Sequence, residues 1–231
     1  MTSHEPHGPR PADDPHGRLW LAELMWRLGC VQFGDFSVGR TARNSPVYLN
    51  PKLLVSRPDA LARVASLIDA ELQMSMAMRN RQVDPFDLIA GVPIGGLHVA
   101  LALSLQSNVP LVYPRPEPPG SSSERPHIEG VYRPGQVAII VDDLATGGGS
   151  LVEIATNLRQ AGLYVRDAVV LMNREQGAAR RLAEIGVRLH PILTLEVLLT
   201  YLHEQRRIPE TEYLQSIAYL RDAGDVRSEF D

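Results

Sequence analysis

Lysine is almost missing from this 231-residue chain, where Lys52 stands alone beside 22 arginines. Any role that needs a lysine ammonium falls to Lys52. Cysteine is as scarce. Cys30 has no second thiol to pair with, which excludes an internal disulfide and favours a cytoplasmic setting. It reads as a small packing residue rather than a nucleophile. No apolar run reaches the roughly 20 residues of a membrane span, and the polar start lacks the apolar core of a signal peptide. Basic excess is missing too. With 23 Lys+Arg against 27 Asp+Glu, the net charge of −4 leaves no nucleic-acid footprint. What remains is ordinary globular composition, 44% hydrophobic and 22% charged. The length suffices for one substantial core with a small accessory lobe.

One stretch organises the rest. Ala138-Ile139-Ile140-Val141 reads as a strand buried on both faces, as in a parallel sheet. Asp142 and Asp143 are expected to stop that strand at the sheet's carboxyl end. Leu144, Ala145, Thr146, Gly147, Gly148, Gly149 and Ser150 then lead into a helical pattern. Glycines let a backbone approach a ligand closely and adopt positive φ. Successive amide N–H groups, the hydroxyls of Thr146 and Ser150 and the positive end of a helix make a phosphate cradle. Ser150 is expected to begin that helix through a capping box with Glu153. Paired acids just before the cradle suit sugar hydroxyls or a hydrated Mg²⁺. Together these point to a phosphorylated ribose. A flexible glycine linker after an acidic turn is the plain alternative for residues 146–150 taken alone. The run is no Walker loop, for it has no Gly-Lys-Ser/Thr, and no dinucleotide fingerprint, because its acids precede its glycines.

Around this stretch strand and helix alternate. Residues 1–18, with four prolines and three histidines, read as a disordered tail. Residues 19–28 carry a helical apolar pattern that Gly29 ends. Residues 33–50 read as two short strands around a turn carrying Arg40 and Arg43. A long amphipathic helix follows over 58–78, with Leu61, Val64, Leu67, Ile68 and Leu72 on one face and Met74, Met76 and Met78 packing. Residues 86–91 form a second buried strand, 92–96 a glycine turn and 97–105 a helix, which makes another anion-competent end. His98 on that helix reads as a core or surface residue. After a short strand at 109–113, residues 114–127 hold five prolines and no apolar residue, as an exposed loop or lid does. Further strands at 167–172 and 187–193 enclose a helix from 178, and two amphipathic helices finish the chain. The expected class is α/β, a mainly parallel central sheet flanked by helices, with the ligand outside the strands' carboxyl ends. The expected divisions are a tail (1–18), an N-terminal hood (19–57), the core (58–193) and C-terminal helices packed on it (194–231).

The 138–150 run closely resembles the phosphoribosyl pyrophosphate (PRPP) motif of type I phosphoribosyltransferases. Further segments resemble the orotate phosphoribosyltransferases. These are Phe33-Gly34-Asp35-Phe36 followed by Arg40, Ser45-Pro46 and Tyr48; the 91–96 loop; 112–115; Ile128-Glu129-Gly130; and Arg174-Glu175-Gln176-Gly177. The resemblance implies the type I phosphoribosyltransferase fold. It implies transfer of ribose 5-phosphate from PRPP to orotate, with Mg²⁺, giving orotidine 5′-phosphate and pyrophosphate in pyrimidine nucleotide biosynthesis. PRPP contacts are implied for Asp142, Asp143, Leu144, Ala145, Thr146, Gly147, Gly148, Gly149 and Ser150, the two aspartates holding ribose hydroxyls. Arg174 would pair with orotate's carboxylate, with Thr146, Arg40 and Tyr48 beside the base. Arg115 matches a lid arginine that reaches pyrophosphate across a homodimer interface, so the implied catalytic set is Asp142, Asp143 and Arg115. Mg²⁺ is expected mainly through PRPP, with no protein metal site.

The lid departs from the family pattern. Lysines and a histidine usually follow its arginine, and here stand Pro116, Glu117, Pro118, Pro119 and Gly120. Ile94 and Gly95 occupy places where many members carry a lysine, and Gly149 replaces a hydroxyl residue. Removing charge stabilisation from a developing anion costs ~3 kcal/mol. A second reading therefore stays open, a catalytically impaired PRPP-binding regulatory or interaction protein on the same fold. A phosphoribosyltransferase for another base is a third.

Overall fold

Alternate residues of the central strand feed two separate cores. In a computed structural model that describes residues 18–38, 42–116 and 127–225, strand β6 (Val137–Ala145) sends Ile139 and Val141 to one apolar cluster and Ala138 and Ile140 to the other. This is the two-residue period of a strand covered on both faces. The expected disordered tail up to residue 17, the turn with Arg40 and most of the proline-rich lid (117–126) lie outside the described residues.

The elements before the sheet are α1 (Arg18–Arg27), the antiparallel pair β1 (Val31–Val38) and β2 (Ala42–Leu49), a 3₁₀ turn at Pro51–Ser56 and α2 (Pro58–Ala77). The sheet is built from β3 (Leu88–Gly91), β4 (Leu111–Pro114), β5 (Ile128–Glu129), β6, β7 (Tyr164–Asn173) and β8 (Arg188–Thr194). Its order is β5-β4-β3-β6-β7-β8, and every pairing is parallel except β4 with β5. Helix α3 (Gly95–Ser107) joins α1, α2, α6 (Leu195–Glu204) and α7 (Glu210–Asp225) on one face. Helices α4 (Gly149–Gln160) and α5 (Ala178–Glu184) cover the other. The layers are helix, sheet, helix, as the alternation predicts.

Four local expectations are corrected. Asp142 and Asp143 do not end β6. The strand runs on to Ala145, with Leu144 opposite Met172 and Ala145 opposite Asn173, because β7 continues beside it and supplies partners. Helix α4 starts one residue before Ser150. Gly148, left-handed at φ 78°, is its N-cap, and no side chain caps the helix, so the Ser150–Glu153 box does not form. Arg43 lies within β2 rather than in the turn. Met74 and Met78 are 47% and 52% exposed, since α2 has run past the core at its C-terminal end, while Met76 does pack.

Candidate active site

The chain reverses direction across the sheet between β3 and β6. From β3 it passes through α3 to β4 on one side, and from β6 through α4 to β7 on the other. Such a switch point leaves a crevice beyond the carboxyl ends of the two strands. Both helices begin in that crevice, α3 at Gly95 and α4 at Gly149, and neither has a side-chain cap. Their first backbone N–H groups are therefore left for an outside acceptor.

Glycine is obligatory at the contact between the two loops. A Cβ on Gly95 would stand 2.5 and 2.7 Å from the Asp143 carboxylate oxygens. On Gly96 it would meet the Val141 carbonyl at 2.6 Å and the Asp142 Cα at 2.8 Å. That second clash is with backbone and cannot be relieved by a rotamer. Gly96→Ala is expected to lower stability by ~1–3 kcal/mol, or about 2–4 °C of Tm per kcal/mol in a chain of this size. Thermal denaturation measures it, and an unchanged Tm would show that the two strand ends are not clamped this way.

Charge at the two ends of the sheet is handled in opposite ways. At the amino end, Asp167 is 4% exposed yet fully partnered. Arg188 donates to it through Nε and Nη2 at 2.9 Å, His190 Nε2 lies at 2.8 Å and the Asp84 N–H donates at 3.0 Å. Burial pushes its pKa up, but the hydrogen bonds from His190 and Arg188 outweigh that and hold it below the ordinary value. At the carboxyl end Asp142 and Asp143 are 6% and 4% exposed and side by side. Burial first, and then the neighbouring Asp143, drives the Asp142 carboxyl well above its ordinary pKa. Asp142 Oδ1 accepts from the Asp143 N–H at 2.8 Å, while Asp143 Oδ2 is buried without a hydrogen bond. Buried carboxylates left short of partners are destabilising in themselves, which makes this end of the sheet the candidate site.

Arg174 is the cationic counterpart. It is 2% exposed at the end of β7, beside the loop through its N–H bond to the Ala145 carbonyl at 2.9 Å. Its Nη2 donates to Ser45 Oγ at 2.9 Å and the Val47 carbonyl at 3.2 Å, both on β2. Its Nε has no partner, and burial lowers its pKa. Arg174 thereby reaches the strand that carries Tyr48, whose ring lies 5.5 Å from that of Phe36. Arg115 directly follows β4, ion-paired with Glu129, and shares a cavity of about 330 Å³ with Val92, Pro93, His127, Ser150 and Glu153.

The crevice thus gathers Asp142, Asp143 and the loop from Leu144 to Ser150, with Arg174 reaching the hood strand that carries Tyr48 and Arg115 on the flank. Arg40 lies outside the described residues. Three neighbours were not anticipated. Lys52 Nζ stands 3.3 Å from Asp143 Oδ2. The Arg181 Nη1 is 3.7 Å from a Cβ built on Gly149. His98 turns a buried, unpartnered Nε2 inward, and burial holds its pKa below the ordinary value. Only the rarity of lysine pointed to the first; nothing in the sequence pattern pointed to the others.

Solved structures share this architecture. The chain superposes on Leishmania donovani UMP synthase with a TM-score of 0.76 and 32% identity, over 88% of this chain and 42% of that one. It superposes on the orotate phosphoribosyltransferase of Aeropyrum pernix at 0.65 and 31%, over 80% and 99%. The mainly parallel sheet, with an acid pair and two glycine-started helices at its switch point, is the type I phosphoribosyltransferase fold that these neighbours share. No family model matches the chain. Among curated proteins, the orotate phosphoribosyltransferase of Cenarchaeum symbiosum is 37% identical over 82% of this chain and 91% of its own. That of Chlamydia caviae is 32% identical over 81% and 87%. The chain belongs to the orotate phosphoribosyltransferase family.

Proposed function

We propose that the chain transfers ribose 5-phosphate from PRPP to orotate, giving orotidine 5′-phosphate and pyrophosphate in pyrimidine nucleotide biosynthesis. The observation that carries this is the under-partnered acid pair set between two uncapped helix starts. In the reaction a bond forms between orotate N1 and the anomeric carbon. The bond from that carbon to pyrophosphate breaks, its electron pair leaves on pyrophosphate, and the N1 proton passes to solvent.

Thr146, Gly147, Gly148, Gly149 and Ser150 hold the 5-phosphate on backbone N–H groups and two hydroxyls, with Leu144 and Ala145 setting the loop's start. Asp142 and Asp143 take the ribose hydroxyls, and their negative charge steadies the cation-like ribose. The α3 start at Gly95 faces pyrophosphate. Arg174 pairs with orotate's carboxylate as a planar fork, with Thr146, Tyr48 and Arg40 around the base. Arg115 reaches pyrophosphate from a second copy, which makes a homodimer the working form. Exposed Ile94, Leu101 and Leu105 (80%, 52% and 78%) supply apolar surface for such a contact.

Among the described residues no group of three or more His, Cys, Asp or Glu could hold a metal. Mg²⁺ in this reading enters with the diphosphate, and Asp142 and Asp143 are the residues able to complete its oxygen shell. Its contribution is to neutralise pyrophosphate charge. A cytoplasmic setting is supported by the single thiol, and no described helix is long and apolar enough to cross a membrane. The lysine-free lid makes slow turnover the expected regime.

The test is Mg²⁺-dependent loss of orotate absorbance on adding PRPP. Turnover supports the enzyme. PRPP binding without turnover on orotate or any other base would replace it with the regulatory reading.

A further inference from the structure

We propose that Lys52 is an exchange cation, neutralising Asp143 while the site is empty and moving to the diphosphate when PRPP binds. The proposal rests on the PRPP reading above. Among the described residues, Lys52 is the one cation within ion-pair distance of either aspartate. It is also the only lysine in the chain. The segment that presents it is fixed. The 3₁₀ turn Pro51–Ser56 buries Pro51 and Leu54 and packs against α3 and β6, the two elements that build the crevice.

The side chain itself stands largely in solvent. It is 57% exposed, whereas the Asp143 carboxylate it touches is 5% exposed. At 3.3 Å from Oδ2 it makes an ion pair without making a hydrogen bond, since Oδ2 has none. A pair that has no hydrogen bond, with its ammonium in solvent, is one that a more highly charged anion can displace. The same oxygen lies 2.7 Å from the position of a Cβ on Gly95. Lys52 Nζ is therefore no more than about 6 Å from the start of α3. Nothing stands on Gly95 to block it, because no side chain fits there.

Electrostatics favours the exchange. Two buried carboxylates repel an incoming diphosphate unless a cation intervenes. Lys52 is the cation that faces that charge in the empty site, through its 3.3 Å approach to Asp143. A diphosphate at the α3 start offers more negative charge than one carboxylate and attracts the ammonium away. Asp143 is then released to accept a ribose hydroxyl at the moment the sugar arrives. Lys52 thereby couples occupancy of the diphosphate position to readiness of the ribose position.

The two halves of the ligand can be titrated separately. Calorimetric titration of the full chain with magnesium pyrophosphate and with ribose 5-phosphate compares wild type, Lys52→Met and Lys52→Arg. Loss of a charge-assisted contact is expected to weaken pyrophosphate binding by about 10–100-fold in Lys52→Met. Ribose 5-phosphate should bind as tightly as before or tighter, because Asp143 has lost its competitor. Lys52→Arg should hold pyrophosphate within about threefold of wild type, since the charge persists at similar reach. Pyrophosphate affinity unchanged in Lys52→Met overturns the proposal. So does an equal loss for both ligands, which is what a merely structural ion pair gives. Wild type that binds neither PRPP nor pyrophosphate removes the reading beneath it first, which tells the two failures apart.

Discussion

Asp143→Asn is expected to abolish ribosyl transfer while leaving the folded chain at least as stable as wild type. The two effects share one cause. Among the described residues, Asp143 is 4% exposed beside Asp142, with one oxygen lacking any hydrogen bond and only the half-exposed Lys52 as counter-charge. An amide of the same shape removes a buried charge and one of the causes that lift the Asp142 pKa. Burial, the largest cause, still raises the Asp142 pKa, while the Asp143 N–H and Lys52 still lower it, so the pKa moves part of the way back toward the ordinary value. Chemistry loses what stability gains. The developing positive charge on ribose has no anion on its Asp143 side, and losing one preorganised electrostatic contact lowers turnover by ~10³-fold. Steady-state rates with orotate and PRPP, alongside a melting curve, test both halves. A variant that keeps turnover, or that melts well below wild type, would make Asp143 a structural residue.

The fold was legible in the sequence to the extent that burial dictated it. The β6 core Ala138-Ile139-Ile140-Val141, the Gly29 helix stop and the apolar face of α2 each show a pattern forced by what they pack against. Strand ends were less legible. Asp142 and Asp143 look like terminators because charges seldom enter a buried strand, yet β7 pairs with them as far as Ala145. The same competition moved the α4 start. Ser150 and Glu153 form a good capping box by local chemistry, but left-handed Gly148 lies close against Ala178, where a Cβ would come within 2.9 Å of the backbone. Tertiary packing set that turn, and no local propensity records it. Within the site, the residues of one continuous motif were readable. Lys52 was not, because 90 residues separate it in sequence from the Asp143 carboxylate that it faces. Arg174 was placed by resemblance, but its attachment to Ser45 and Val47 of the hood arises only in the folded chain, across 129 and 127 residues of sequence.

Arg174→Met should sharply reduce use of orotate without weakening the fold or PRPP binding. An arginine stripped of water costs several kcal/mol unless a carboxylate and full hydrogen bonding offset it. Arg174 has two hydrogen bonds from one nitrogen to neutral acceptors, a bare Nε, and no ion pair among the described residues. Its offset is incomplete, in contrast with Arg188, which is doubly bonded to Asp167 at the far end of the sheet. Methionine fills much of the same volume and releases that desolvation penalty. The hood loses two hydrogen bonds of about 1.5–3 kcal/mol each at most, so the two terms nearly cancel and Tm should stay within a few degrees. Orotate meets a different balance. Its carboxylate would enter a buried site with no opposing charge, a loss of ~2–5 kcal/mol, or roughly 30- to 5,000-fold in kcat/KM for orotate. PRPP binding, measured apart from turnover, should be unchanged because the 5-phosphate loop and acid pair are intact. A large fall in Tm with loss of both substrates would instead mean that Arg174 serves to fasten the hood. On the proposed reading the buried acids and the buried arginine belong to one design, in which polar groups are left short of partners at the carboxyl end of the sheet until the ribose hydroxyls and the orotate carboxylate supply them.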